Sequence, residues 1–174
     1  MQSLNHEIFM ALNADESSPV FLLATARLLA ELPIALAVLM ALCILVRRKS
    51  EKAVALRLVL TVTLAMAAAY VIRTLHYTPR PFVIDLGRTF IEHAPTASFP
   101  SFHGTFMFSL AAALLFCPKE RISGTAILLL GLATAWARIY LGVHYPLDML
   151  GALITAFAAA VAVHCCFRLR RQWA

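Results

Sequence analysis

Residues 54–72 read VALRLVLTVTLAMAAAYVI, nineteen residues with one charge, Arg57. About twenty consecutive apolar residues is the length of helix that crosses a bilayer core. The stretch therefore predicts a membrane-spanning helix. Working outward, four further apolar runs lie at 20–46, 102–117, 122–137 and 147–167. The first is too long for one straight span and holds Arg27, Glu31 and Pro33. It is expected to lie at the interface or tilted as far as Ala30 and to cross from Leu32 onward. Two crossings in that run are the alternative, so five to six spans are expected. The runs at 102–117 and 122–137 are short and must borrow flanking residues. Alanines at 65, 67–69, 111–113 and 158–160 allow helices to approach closely in lipid.

Composition agrees with this reading. Of 174 residues, 61% are hydrophobic and 14% charged, against about 45–50% and about 25% in soluble domains. A disordered chain is excluded and a soluble globule disfavoured. The fold class expected is an all-α, polytopic transmembrane helix bundle, one domain over 1–174. The net charge of +6 would suggest nucleic acid in a soluble protein. Here the basic residues sit between apolar runs without interleaved aromatics, so nucleic acid is set aside. Cys43, Cys117, Cys165 and Cys166 lie in or beside apolar runs without metal-ligand spacing, which favours packing roles. Residues 1–18 hold no Lys or Arg, unlike a secretory signal. Leu4, Ile8, Phe9 and Leu12 instead give that stretch one apolar side, suited to the membrane surface.

Basic residues orient the spans. Ten (Arg47, Arg48, Lys49, Lys52, Arg57, Lys119, Arg121, Arg168, Arg170, Arg171) fall on one side and five (Arg27, Arg73, Arg80, Arg88, Arg138) on the other. The richer side is expected to be cytoplasmic. The other side then carries the longest polar connection, 73–101, and the short one at 138–148. These hold Arg73, His76, Arg80, Arg88, His93, Arg138, His144 and Asp148, and His103 follows closely. Ionisable groups at the membrane edge are costly and mark functional sites.

The residue types point to phosphoryl chemistry. The planar fork of arginine matches phosphate oxygens. Histidine serves as nucleophile or as general acid near neutral pH. An aspartate on one imidazole nitrogen fixes the tautomer and supports positive charge on the ring. Ser101 precedes one span, where a serine caps and free N–H groups attract anions. Pro146 suits the first turn of another, which puts His144 just before that helix and Asp148 one turn on. Both helix starts face the same side, so two positive ends converge. No acidic cluster suits catalytic magnesium, so a mechanism without metal is favoured and no cofactor is expected.

The segments Arg73-(six residues)-Arg80-Pro81, Pro100-Ser101-Phe102-His103 and Arg138-(five residues)-His144-(three residues)-Asp148 closely resemble the three-part signature of the type 2 phosphatidic acid phosphatase superfamily. The flanking sequence resembles its bacterial undecaprenyl-diphosphate phosphatases of the bacitracin-resistance type. Three segments in order, correctly spaced and on one side, form a strong signal. The resemblance implies that His144 attacks phosphorus, that Asp148 holds His144, and that His103 protonates the leaving lipid phosphate and later activates water. It implies that Arg73, Arg80, Ser101, Phe102 (through its backbone N–H) and Arg138 bind the phosphate. Arg73 stands where the family usually has lysine, Phe102 where it has glycine or an acidic residue, and Ala137 where it often has serine. The implied partners are a lipid diphosphate and the surrounding lipids. The implied location is the bacterial inner membrane, multi-pass, with the active site at the non-cytoplasmic helix ends. The implied reaction is hydrolysis of undecaprenyl diphosphate, recycling the carrier for cell-wall synthesis. A glycerolipid phosphatase, a lipid A phosphotransferase, or a non-catalytic lipid-binding or transport protein are the alternatives.

Other residues are given plainer roles. Arg88 is expected at lipid headgroups, His76 and His93 as solvated loop residues, and His164 as structural. Tyr77, Tyr140 and Tyr145 are expected in an interfacial aromatic belt. Arg27 and Glu31, four apart, are expected to pair on one helix face.

Overall fold

A computed structural model describes residues 2–49 and 52–172. Six α-helices follow in order: α1 (Gln2–Leu12), α2 (Val20–Arg47), α3 (Lys52–Leu75), α4 (Phe102–Leu115), α5 (Arg121–Tyr140) and α6 (Pro146–Gln172). Short 3-10 turns cover Pro81–Ile84 and Pro118–Glu120. Four stretches are long and apolar enough to cross a membrane: Val20–Arg47, Lys52–Leu75, Pro118–Tyr140 and Pro146–Leu169; α4 is a shorter apolar helix.

The helices are inside-out by the standards of a soluble protein. Large aliphatic side chains such as Leu28, Leu39, Leu129 and Ile154 point outward, while α2 buries Ala26, Ala30, Ala37 and Ala41. Small residues at four- and seven-residue spacing let helices approach closely, and lipid covers the rest. Helix α4 touches α2, α3, α5 and α6 and is buried along most of its length. At about 1.5 Å per residue its fourteen residues span about 21 Å, less than the ~30 Å bilayer core. The irregular segment 85–101 precedes it. Non-helical backbone near membrane depth is tolerated where it is packed in protein or lines a cavity, and this segment supplies one wall of the site.

Several expectations are corrected. Residues 20–47 form one unbroken helix that buries Pro33, so the interfacial break before Leu32 is absent. A proline in a lipid-embedded helix is tolerated when neighbours absorb the lost hydrogen bond. Not corrected is helix α1, which forms with Phe9 packed inside and leaves Leu4, Ile8 and Leu12 exposed on its apolar side. Met1 of that stretch lies outside the described residues. Arg27 and Glu31 do not pair. Arg27 donates to the Phe90 carbonyl at 3.1 Å, and Glu31 accepts from Arg138 at 3.2 Å. The physical reason is burial: Arg138 is 1% exposed, and a buried charge needs a counter-ion far more than a surface one. Arg88 pairs with Glu16 at 2.9 Å. Tyr140 and Tyr145 are buried, and only Tyr77 of the expected belt is exposed.

Asn13, just past α1, ties this end of the bundle together. Its amide donates to the carbonyls of Arg88 (2.9 Å) and Tyr140 (3.0 Å), and its oxygen accepts from the Arg88 N–H. Between α5 and α6 the chain turns at Gly142, φ +83, where a Cβ would stand 1.9 Å from the Arg88 carbonyl oxygen. Only glycine satisfies both the backbone and that approach, and the turn sets how Arg138 faces His144.

Candidate active site

His144 precedes α6, whose first residue is Pro146. Asp148 Oδ2 reaches back to the Tyr145 N–H at 2.8 Å, as an acidic residue in the first turn of a helix commonly does. The same oxygen stands 3.0 Å from His144 Nδ1 and accepts from the Ser98 hydroxyl. Three donors therefore fix one carboxylate oxygen, and that oxygen fixes the ring.

The other ring nitrogen faces Arg80 and Ser101. Arg80 Nη1 lies 3.1 Å from His144 Nε2, and Ser101 Oγ 3.3 Å. Guanidinium has donors and no acceptor. Nε2 must then carry the lone pair, and Nδ1 the proton that it gives to Asp148. His144 is 1% exposed. Burial pushes its pKa down to about 3; the hydrogen bond and charge of Asp148 pull it up, and Arg80 and Arg138 push it down further. The ring is thus neutral, in the tautomer that offers Nε2 as a nucleophile.

Arg80 is almost fully buried. Besides His144 it donates to the carbonyls of Val143 (2.8 Å) and Thr96 (3.0 Å), and to Ala97 and the Thr96 hydroxyl at longer range. Desolvation, with the charges of Arg73 and Arg138, lowers it to about 10, so it remains charged. Arg73 closes α3 and donates to the carbonyls of Ser98 (3.2 Å) and Pro100 (3.0 Å). Its guanidinium lies 4.2 Å over the Phe102 ring. The aromatic side chain is therefore a platform for Arg73. Ser101 caps α4 by accepting from the Gly104 N–H at 3.3 Å.

Arg73, Arg80, His93, Phe102, His103 and His144 line one cavity of 450 Å³, with Tyr70 and Thr74 of α3 at its side. Ser101 and Arg138 lie buried behind that wall. Arg138 keeps its Nη1 on Glu31, and its Nε is buried without a partner. An orphaned buried donor is costly, and a phosphate oxygen would satisfy it. All eight residues singled out by sequence gather here.

Two residues were missed. Glu31 comes from α2, 107 positions from Arg138, and no local pattern links them. His93, expected to be solvated, is half-buried in the cavity wall, its ring centroid 6.3 Å from that of His144. Its place in a long polar connection beside three signature segments was the only signal. Among the described residues no group of three or more His, Cys, Asp or Glu suits a metal ion.

Comparison with known proteins follows the same lines. The family model for the PAP2 superfamily matches residues 54–172, from α3 to the end of α6. YbjG of Escherichia coli K12, provisionally named an undecaprenyl-diphosphatase, is 31% identical over 163 residues, 93% of this chain and 82% of its own. Undecaprenyl-diphosphatase BcrC of Bacillus subtilis 168 is 42% identical over 87 residues, 50% of this chain and 44% of its own. Among solved structures, Aquifex aeolicus LpxE superposes with a TM-score of 0.74 at 23% identity, covering 92% of this chain and 94% of that one. A family match over more than half the chain, together with a relative 31% identical over 93% of this chain and 82% of its own, settles the assignment: this protein belongs to the PAP2 superfamily.

Proposed function

We propose that the protein hydrolyses undecaprenyl diphosphate to undecaprenyl phosphate and inorganic phosphate, through a phosphohistidine on His144 and without metal. The observation that carries the chemistry is the fixed tautomer: Asp148 on Nδ1 and a donor-only arginine on Nε2. The names of YbjG and BcrC support the substrate.

In the first step Nε2 of His144 bonds to the terminal phosphorus. The bond from that phosphorus to the bridging oxygen breaks, and lipid phosphate leaves with its electrons. His103, protonated in the complex with the anionic substrate, supplies the proton the leaving oxygen takes and is left neutral. The ring becomes positive, and Asp148 offsets that charge. The Arg80 N–H that donated to Nε2 turns its hydrogen bond to a phosphate oxygen and keeps its proton, beside the hydrogen bonds from Ser101 and Arg138. Arg73, seated on Phe102, adds positive charge at the same wall, and the first-turn N–H groups of α4, that of Phe102 included, add their partial charge. In the second step His103 takes a proton from water, the oxygen attacks phosphorus, and the P–N bond breaks to return neutral His144. The cavity's flank at Tyr70 and Thr74 gives the polyprenyl tail a way out toward lipid between α3 and α4. By the basic-residue rule, this end faces the periplasm or exterior of a bacterial inner membrane, where the reaction would recycle the cell-wall lipid carrier and relieve bacitracin.

The test is phosphate release from undecaprenyl diphosphate by the detergent-purified protein in excess chelator, wild type beside His144→Ala. Release by the wild type alone is expected. No release by the wild type, or release that returns only with added magnesium, overturns the proposal.

A further inference from the structure

His93 belongs to none of the three signature segments. It sits in the segment before α4 and lines the cavity with Arg80, His103 and His144. Its ring stands edge-on to His144, with an interplanar angle of 75°, and Phe82 lies on a further side at 6.5 Å. Its Nδ1 is 2.9 Å from the Ala94 carbonyl oxygen. A carbonyl only accepts, so Nδ1 carries the proton. Nε2 is then the ring's remaining polar atom, and among the described residues it has no protein hydrogen-bond partner.

The reacting phosphate already has its partners. His144 Nε2 has Arg80 and Ser101 on it, within 3.3 Å. His93 lines the same cavity as His144, its ring centroid 6.3 Å from that of His144, and its unpartnered Nε2 is a polar atom that the reacting phosphate's own partners do not use. A diphosphate brings a bridging oxygen and a second phosphate into that cavity. We propose that His93 forms a second phosphate subsite, which holds the non-reacting phosphate of a lipid diphosphate and makes the site prefer diphosphates to monophosphates. This rests on the phosphatase reading of the same cavity and names its substrate class.

The electrostatics give the preference a mechanism. Burial pushes His93 below the usual histidine range, and the charges of Arg80, Arg138 and Arg73 push it the same way, against the Ala94 hydrogen bond. His103 and His144 also face this space, and Asp148 lies behind His144. A monophosphate leaves His93 neutral, with a lone pair toward phosphate oxygens, a contact between two acceptors. A diphosphate carries more negative charge and offsets the arginines. It draws a proton onto Nε2 and turns an acceptor into a charged donor.

The test uses two substrates that differ by one phosphate, farnesyl diphosphate and farnesyl phosphate, with the full chain in detergent. Wild type, His93→Gln and, as a control, His76→Gln at the exposed loop histidine are compared by kcat/KM for phosphate release. His93→Gln is expected to lose about 10- to 100-fold on the diphosphate and less than about threefold on the monophosphate. Retained monophosphate turnover shows that the variant folds. His76→Gln is expected to change neither. Equal losses on both substrates, or none on either, overturn the subsite. A second measurement needs no turnover: the melting shift produced by methylenediphosphonate, which cannot be hydrolysed, against that of inorganic phosphate. A diphosphonate shift that shrinks in His93→Gln, beside an unchanged phosphate shift, supports the subsite even where wild type releases no phosphate, an outcome that counts against the phosphatase reading alone. Identical diphosphonate shifts in wild type and variant overturn it.

Discussion

Arginines, a histidine and a carboxylate meet at both ends of this bundle, yet the two ends are built for different tasks. At the end opposite the candidate site, Arg48, Arg57, Lys119, Glu120 and His164 line a cavity of 610 Å³. There the carboxylate of Glu120 is taken by Arg48 at 2.8 Å, Arg47 at 3.4 Å and the Ser123 hydroxyl. His164 meets Arg57 at its Nδ1, 3.1 Å away, and among the described residues no carboxylate orients it. At the other end Asp148 holds His144, three donors hold Asp148, and Nε2 faces Arg80 and Ser101 beside the 450 Å³ cavity that His144 lines. Charge and residue type are shared. What differs is whether a carboxylate holds the ring and what the ring's other nitrogen faces.

The largest expected effect tests that contrast directly. His144→Ala removes the nucleophile and should lower kcat/KM by at least about 10³-fold. His164→Ala should leave it within about twofold. Phosphate-release assays on the two variants side by side check this, and a comparable loss in both would erase the distinction between the ends. Asp148→Asn comes next. Asparagine cannot offset the positive charge on a phosphorylated ring, and its amide can settle as a donor toward Nδ1 and favour the wrong tautomer. A loss of about 10²- to 10⁴-fold, mainly in kcat, is expected by analogy with carboxylate-to-amide changes in other histidine sites. Asp148→Asn retaining more than a tenth of wild-type kcat would mean that Asp148 only packs. Glu31→Gln should act more weakly, through Arg138. The buried guanidinium keeps a hydrogen-bond acceptor but loses its counter-ion, so its aim slackens. A three- to tenfold rise in KM with kcat nearly unchanged is expected, and a Glu31→Gln enzyme with wild-type KM would remove Glu31 from the site.

What the sequence could show, and what it could not, divides along the same physical line. Apolar run length revealed five helices, and the resemblance of three short segments to the family signature pointed to the eight candidate residues, because both can be read along the chain. The pairing of Glu31 with Arg138 was hidden, since it depends on which helices touch across the bundle. The local four-residue rule offered Arg27 instead, and it failed because Arg27 is not buried and Arg138 is. Tyr145 has the composition of an interfacial residue, yet His6 stacks on it at 5.3 Å and Phe9 packs against its edge, so α1 seals it inside. Pro33 suggested a break, but backbone cost alone does not end a helix that the bundle and lipid support. His93 was passed over because sequence places it in a loop, and only the folded segment turns that loop into a cavity wall.

The smallest expected effect is an absence of change, and it separates His144 from a solvated histidine most sharply. An ordinary imidazole titrates near pH 6.5. Burial lowers that of His144 to about 3, with Arg80 and Arg138 acting in the same direction and Asp148 opposing them. The sign follows from the charged form being the protonated one. A lowered pKa keeps the ring neutral as pH falls through 6.5, and protonation waits until the pH nears the lowered value. Between pH 7.5 and 5 the imidazole ¹⁵N resonances of His144 should therefore hold the pattern of a neutral ring, Nδ1 protonated and Nε2 bare. Asp148→Asn should not restore ordinary titration, because it removes the one residue that pulls the pKa upward. A midpoint near 6.5 in the wild-type protein would show that water reaches the ring, and the argument for a desolvated nucleophile with a fixed tautomer would then fail at its first step.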